Sequence, residues 1–154
     1  MYKDTSIKLT HFFVRLCYFL LAGASVFLPI ILYNGFLNFE ILSQIGNYII
    51  GPFYLVVPAG FTALVCLDKL LVNIRKEEVF ETKNVKLLST ISWACFYAGL
   101  VGLISFVVIM IMDFMFETLF VLSMGEFFMA LILQVVMQVF KKAITIKEEN
   151  ELTI

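Results

Sequence analysis

The sequence predicts an all-α integral membrane protein in which four transmembrane helices form an antiparallel bundle. The first observation is composition: hydrophobic residues make up 62% of the 154 residues and charged residues 15%, against roughly 45–50% and 25% in soluble proteins. The mean hydropathy is +0.99. A water-soluble fold of this composition would expose large apolar patches and aggregate, so lipid is the solvent for most of the chain.

The second observation is four apolar runs, each long enough to cross the hydrocarbon core of a bilayer, which needs about 20 helical residues. The runs cover residues 12–33, 49–72, 87–112 and 118–140. None shows the alternating pattern of a transmembrane strand. A backbone inside lipid must form its own hydrogen bonds, so each run is predicted to be a helix. The other segments are too short to hold a core, which makes residues 1–154 one domain with a short tail at 141–154.

The first two runs contain all three prolines of the chain: Pro29, Pro52 and Pro58. The first run is expected to be a retained span rather than a cleaved signal, because its small residues at 22–24 lie in mid-run. A proline inside a helix frees the carbonyl group four residues earlier, here that of Ser25 or Tyr54. A protonated Glu126 from the fourth run is one donor for such a carbonyl. An outward-facing pocket is a second interpretation, and kinks that improve packing are a third.

The third run carries a stripe of small residues at helical spacing: Ser92, Cys95, Gly99, Gly102 and Ser105. Small residues let helix backbones approach closely, so the stripe predicts a packing face, either within the bundle or between copies in a homo-oligomer. The three cysteines lie at a similar depth on three different runs: Cys17, Cys66 and Cys95. We interpret them as small apolar residues in buried interfaces, and the sequence predicts no metal site and no cofactor.

The distribution of charge predicts the orientation. With four spans, all eleven basic residues fall on one side of the membrane: Lys3, Lys8, Arg15, Lys69, Arg75, Lys76, Lys83, Lys86, Lys141, Lys142 and Lys147. The other side carries Glu40, Asp113 and Glu117. The positive-inside rule therefore places both termini and the central loop, residues 73–86, in the cytoplasm. The net charge is −1, without the basic surface that direct binding of nucleic acid requires.

Glu126 is an ionisable residue inside the fourth run, about 12 Å from its outer end at 1.5 Å per residue. Ionisable groups at such depth are costly and usually face the bundle interior or a wet cavity. Glu126 belongs to a stripe that also contains Ser123, Ala130, Gln134 and Gln138. One hypothesis is a ligand-binding or proton-linked site formed by Glu126, Gln134 and Gln138. The alternative is hydrogen bonding across helices, which stabilises packing by about 1 kcal/mol per contact.

The central loop and the tail are candidate docking segments. In the loop, Phe80 and the valine before it are expected to fold back onto the membrane surface, and Thr82 or Asn84 to cap the third helix. The tail, residues 141–154, contains alternating apolar residues that would suit a strand added to the sheet edge of a partner. Packing of the tail beneath its own bundle is the alternative. His11 lies at the membrane interface and is assigned no chemistry.

Two segments carry a family resemblance. In the loop, Val79-Phe80 is followed by Asn84-Val85 and Leu88, and the chain closes on residues 147–154, Lys-Glu-Glu-Asn-Glu-Leu-Thr-Ile. These segments resemble a family of small bacterial membrane proteins, known only as a domain of unknown function, with four predicted spans and a similar terminal signature. The resemblance implies the bacterial cytoplasmic membrane and, beside the gene, a helix-turn-helix regulator of the Cro/C1 type. It implies that such a partner docks on the cytoplasmic side, where the candidate residues are Phe80, Asn84, Glu149, Asn150, Leu152 and Ile154.

The sequence therefore predicts a small, non-enzymatic membrane protein that regulates or senses for a cytosolic DNA-binding partner. An intramembrane enzyme would need a Ser/His pair, paired acids or a set of metal ligands within the bundle, and the sequence supplies none of these. The alternative function is a transport or immunity component with a ligand pocket around Glu126.

Overall fold

The computed structural model describes residues 2–33, 40–76, 78–112 and 117–151, with side chains described for 9–31, 50–76, 78–112 and 117–150. It contains four helices: α1 (Tyr2–Tyr33), α2 (Glu40–Arg75), α3 (Thr82–Ile111) and α4 (Glu117–Glu151). Each helix is long and apolar enough to cross a membrane, over Leu9–Ile31, Ile50–Arg75, Thr82–Ile111 and Glu117–Asn150. The described ranges contain no strand. The predicted fold class is confirmed, and the chain is a multi-pass membrane protein.

The last helix is longer than the predicted span. α4 continues without a break through the predicted tail as far as Glu151, because lysine, glutamate and alanine are good helix formers. The interpretation of residues 141–151 as a strand is therefore wrong. Leu152 and Ile154, the apolar residues at the end of the tail, lie outside the described residues.

Contacts between α1 and α2 show that these two helices are antiparallel. As the residue number rises along α1, that of its partner falls along α2: His11 lies beside Asp68, Tyr18 beside Phe61 and Ser25 beside Tyr54. α3 and α4 show the same trend, from Ser92 with Gln134 to Phe106 with Phe120. The connecting segments are short, as expected for antiparallel neighbours.

The bundle is open on one side. α1 packs against α2, α2 against α3, and α3 against α4, whereas among the described residues no Cα atom of α1 lies within 8 Å of one in α4. The four helices therefore form a C-shaped arrangement whose gap lies between the first helix and the last.

The closest helix packing lies between α3 and α4. A Cβ atom added to Gly102 would collide with the hydroxyl oxygen of Ser123, and one added to Gly99 would lie 3.2 Å from the ring of Phe127. The small-residue stripe of α3 is thus covered by α4, with Ser92 only 2% exposed. The interpretation of the stripe as a packing face within the bundle is confirmed, so a homo-oligomer would have to use another face.

One end of the bundle carries the loop between α2 and α3, the beginning of α1 and the end of α4; we call it the basic end. There Nδ1 of His11 lies 3.2 Å from a carboxylate oxygen of Asp68, which ties α1 to α2. The ring of Phe80 in the loop packs against Phe140 of α4, with centroids 5.7 Å apart. These contacts bring the loop and the C-terminal part of α4 together.

Candidate functional site

The inside of the C-shaped arrangement is a groove to which all four helices contribute. Its cavity has a volume of about 510 Å³. We define the groove by its main lining residues: Cys17, Leu20, Gly60, Ala94, Ala98 and Glu126. Most of its wall consists of alanine, glycine and leucine side chains. Such small residues leave room between helices that larger side chains would fill.

Glu126 also lines a second cavity of about 250 Å³, between α2, α3 and α4. The two cavities share Val56, Ala98 and Glu126, so they adjoin at the glutamate. The side chain of Glu126 is exposed in the bundle. It is nevertheless about 14 Å along α4 from Glu117 at 1.5 Å per residue, a depth that belongs to the hydrocarbon core. The structure thus places a carboxyl group in an apolar groove.

The polar neighbours of Glu126 leave its charge without a counter-ion. The thiol of Cys95 lies beside the carboxyl group and interacts with it. The hydroxyl groups of Ser105 and Ser123 donate to carbonyl oxygens of their own helices at 2.7 Å. Among the described residues that line the two cavities there is no lysine, arginine or histidine. The cavities therefore offer one acidic group in otherwise apolar surroundings.

Pro29 and Pro52 lie next to polar side chains in different ways. Pro29 frees the carbonyl group of Ser25, and the hydroxyl of Tyr54 donates to that oxygen at 2.6 Å. The predicted donor, Glu126, is wrong for this carbonyl, because Tyr54 of α2 supplies the hydrogen bond. Pro52 lines the smaller cavity with Glu126, as the pocket interpretation expects.

The predicted stripe on α4 divides between two roles. The amide of Gln134 donates to the hydroxyl oxygen of Ser92 at 3.2 Å, and that hydroxyl donates to the carbonyl oxygen of Ala130 at 3.1 Å. These bonds join α3 to α4, so Gln134 belongs to the packing interface. Gln138 is exposed nearer the basic end. Of the three residues in the proposed ligand or proton-linked set, only Glu126 lines the groove.

The loop between α2 and α3 is built around Asn84. Its side chain is 0% exposed, donates to the carbonyl oxygens of Glu78 and Val79 at 2.6 and 2.8 Å, and accepts from the amide of Asn73 at 2.7 Å. α3 begins with Glu81 as its N-cap residue and without a side-chain capping bond, so the prediction of a cap from Thr82 or Asn84 is wrong. Asn84 shapes the loop from inside and presents no surface to a partner.

The other candidate docking residues differ in accessibility. Phe80 is 47% exposed, although it packs on Phe140. Glu149 and Asn150 are exposed on the last turns of α4. Leu152 and Ile154 lie outside the described residues. The loop and the end of α4 therefore form one surface at the basic end.

The sequence analysis missed two sets of polar contacts at the basic end, one between α1 and α2 and one in the loop. Asp68 lies beside His11 across α1 and α2; the signal was an aspartate about two helical turns before the end of α2, next to a lysine. In the loop, Lys83 contacts Glu78 at 2.5 Å and Glu81 at 2.9 Å. The ammonium group of Lys83 lowers the pKa of the Glu78 carboxyl. This pair is therefore formed above the ordinary pKa of glutamate and is lost as the pH falls through the lowered value.

The comparison with protein families identifies the chain. Residues 47–154 match the family described as "Protein of unknown function (DUF2975)". The chain belongs to this family. The matched region holds most of α2 together with all of α3 and α4, and so includes Glu126, the loop around Asn84 and the C-terminal part of α4. The DUF2975 membership and the four apolar helices confirm the predicted resemblance to a four-span family of unknown function.

Two further comparisons found no relative of this DUF2975 chain: no curated protein and no solved structure matched it. Its function therefore has to be inferred from the groove, the loop and α4.

Proposed function

We propose that this DUF2975 protein is a non-enzymatic regulator of the bacterial cytoplasmic membrane that holds a cytosolic helix-turn-helix protein at its basic end. The observation that carries the proposal is the continuity of α4. One helix, Glu117–Glu151, contains both the carboxyl group in the groove and the exposed residues at its C-terminal end. A change at the groove can thus reach a partner through a single element.

The length of α4 supports this arrangement. Its 35 residues extend about 52 Å at 1.5 Å per residue, whereas the hydrocarbon core is about 30 Å thick. About 20 Å of the helix therefore projects from the core. The basic residues Lys141 and Lys142 would lie at the lipid headgroups, and the turns beyond them would lie in water.

The surface at the basic end suits a protein partner. Phe80 is an exposed aromatic side chain held against α4 by Phe140, and aromatic residues are common at the centres of protein interfaces. Glu149 and Asn150 are polar groups on the same end of α4. In this proposal Phe80 is the apolar anchor, the end of α4 supplies polar contacts, and Asn84 fixes the loop from within.

A pull-down tests the proposal. The bait is the full-length protein with an N-terminal tag, in detergent, and the probe is a helix-turn-helix protein of the Cro/C1 type, which the family resemblance predicts to be encoded beside the gene. We expect Phe80→Ala, and truncation after Lys147, each to lower recovery at least tenfold. Phe128→Ala removes a similarly exposed phenylalanine from the middle of α4 and should bind normally. Recovery that is equal for all four proteins would contradict the proposal.

A second candidate function is a transport or immunity component with a ligand pocket around Glu126. The open groove favours it, because a cavity of about 510 Å³ lies within the range of small-molecule sites, roughly 300–1,000 Å³. Glu126→Gln should abolish uptake or resistance while leaving assembly intact. Glu117→Gln, the same change at the end of the same helix, is the control. Normal uptake or resistance in Glu126→Gln cells would rule this candidate out.

A further inference from the structure

We propose that the groove binds a lipophilic organic cation that enters from the bilayer, with the carboxylate of Glu126 as its counter-ion. The ligand class is an ammonium or phosphonium centre that carries aromatic or alkyl arms. The inference rests on the pocket of the second candidate function, and it stands whether or not the end of α4 holds a regulator.

The walls of the groove determine the body of the ligand. Ala94, Ala98 and Gly60 line it together with leucines from α1 and α2. The serine hydroxyls of the adjoining cavity already donate to backbone carbonyls and belong to buried residues, so they have no hydrogen left to donate to a sugar or a nucleotide. A polar ligand would lose its water without gaining hydrogen bonds, which disfavours its binding. The groove thus suits a ligand that is apolar over most of its surface.

Charge determines the head of the ligand. The charged form of a carboxyl group in apolar surroundings is stabilised by a cationic partner, and the described lining residues supply none, so a cationic ligand would pair with Glu126 in its ionised form. An anionic ligand would be repelled. A monovalent cation from the membrane supplies the missing charge, and the ring of Phe53 in the adjoining cavity offers a π face that also attracts cations.

An inorganic cation fits the groove less well than an organic one. Ca²⁺ takes six to eight oxygen ligands and Mg²⁺ about six, whereas Glu126 is the single carboxylate among the described lining residues. No cluster of three or more His, Cys, Asp or Glu residues occurs in the part of the chain that the structure describes. An organic cation needs only one counter-charge, because its arms are solvated by the apolar wall.

Access comes from the open side of the bundle. The gap between α1 and α4 is not closed by backbone contact among the described residues, and it faces lipid in a membrane-spanning bundle. A lipophilic cation already dissolved in the bilayer can move sideways into the groove without crossing a polar barrier. The depth of Glu126 along α4 places the carboxylate where such an ion lacks water and gains most from pairing.

The test uses full-length protein in lipid nanodiscs and equilibrium dialysis of radiolabelled tetraphenylphosphonium, with empty nanodiscs measuring partition into lipid. We expect saturable binding to the wild type. Glu126→Gln should weaken it at least about 30-fold, the loss that follows removal of one partner of a buried charge pair. Glu117→Gln should bind like the wild type. Tetraphenylborate has the same shape and the opposite charge, and it should not bind above the level of empty nanodiscs.

A second variant keeps the test independent of folding. Ala98→Leu keeps the carboxylate but fills the place where the two cavities adjoin, so it should also weaken tetraphenylphosphonium binding. Gel filtration and circular dichroism verify that each variant is folded. Normal binding to Glu126→Gln or Ala98→Leu would overturn the inference. If tetraphenylphosphonium and tetraphenylborate bind equally and Ala98→Leu abolishes both, the groove is a ligand pocket but the proposed cationic ligand class is overturned. If the wild type binds no tetraphenylphosphonium while the pull-down gives the expected result, the inference is overturned and the proposed regulator function stands.

Discussion

Gln134 and Glu126 lie about two turns apart on α4, yet they face different surroundings. Gln134 completes a hydrogen-bonded chain with Ser92 and Ala130 in the interface between α3 and α4. Glu126 faces the groove, where only a thiol lies beside it. Polar side chains of the interface form hydrogen bonds that stabilise the bundle, whereas the polar partner described for the carboxyl group of the groove is the Cys95 thiol of α3, a weak donor. In the proposals made above, these two residues of one helix therefore have different roles, Gln134 in packing and Glu126 in binding.

The largest effect on stability is expected from closing the space at Gly102. Gly102→Ala places a methyl group against the hydroxyl of Ser123, and overpacking of this kind costs about 1–3 kcal/mol. The free energy of unfolding, measured by SDS titration in mixed micelles, should fall by that amount less the gain in helix propensity of alanine, which is up to about 1 kcal/mol. Adding Ser123→Ala removes the colliding oxygen and should restore part of the loss.

Gly125→Ala is the matched control for this prediction. Gly125 is on α4, and a Cβ atom added there meets no atom within 4 Å. Alanine is the better helix former by up to about 1 kcal/mol, so this variant should be as stable as the wild type or more so. Equal destabilisation by both glycine substitutions would mean that the α3–α4 interface is not closely packed.

A smaller loss is expected from Ser92→Ala. The change removes the hydroxyl that donates to Ala130 and accepts from Gln134. Hydrogen bonds between membrane helices contribute about 1 kcal/mol, so the same titration should show a loss of about that size. Thr90→Ala, which removes an exposed hydroxyl bonded within α3, should change stability less. An equal loss in Ser92→Ala and Thr90→Ala would show that the hydrogen bonds of Ser92 across the interface add nothing to stability.

Tyr54→Phe tests the wall formed by α1 and α2. The ring remains, but the carbonyl group that Pro29 frees at Ser25 loses its donor. We expect a loss of about 0.6 kcal/mol, the average for a hydrogen bond between membrane helices. The double variant Tyr54→Phe with Pro29→Ala should recover stability, because alanine supplies an amide for the same carbonyl. If the double variant is no more stable than Tyr54→Phe, the hydroxyl of Tyr54 does not stabilise the protein through the carbonyl group of Ser25.

The smallest effect should follow Glu126→Gln. The glutamine keeps the shape of the side chain, and its amide oxygen can still accept from the Cys95 thiol of α3, so stability should change by less than about 0.5 kcal/mol. Gln134→Ala should cost more, because it interrupts the bond to Ser92. A large loss of stability in Glu126→Gln would show that this residue stabilises helix packing, and it would weaken the case for a ligand.

Hydropathy predicts the four helices because lipid leaves the backbone few alternatives. The ends of the helices are harder to predict, since outside lipid the local propensity of residues decides. The run of lysine and glutamate after Phe140 continues α4, although the alternating isoleucines at 144 and 146 also suit a strand. The hydropathy of these residues does not distinguish a helix from a strand.

Contacts within the site were predicted only in part. The free carbonyl at Ser25 follows from Pro29, but its donor could not be chosen among helices whose relative rotation the sequence leaves open. For the same reason the sequence could not separate Gln134 from Glu126 or pair His11 with Asp68. The burial of Asn84 depends on the path of the loop around it, which no periodic pattern specifies.

A tilt of α4 about its close contact with Gly102, at Ser123, would move the two ends of the helix by different amounts. From Ser123 to Glu126 the distance along the axis is about 4.5 Å, whereas Phe140 lies about 26 Å away and Glu151 about 42 Å. A tilt of about 5° around this contact would shift the carboxylate of Glu126 by only about 0.4 Å. It moves Phe140 by about 2 Å, enough to separate its ring from Phe80, and the end of the helix by about 4 Å. In the regulator proposed above, a small displacement at Glu126 would thus become a displacement about ten times larger at the end of α4.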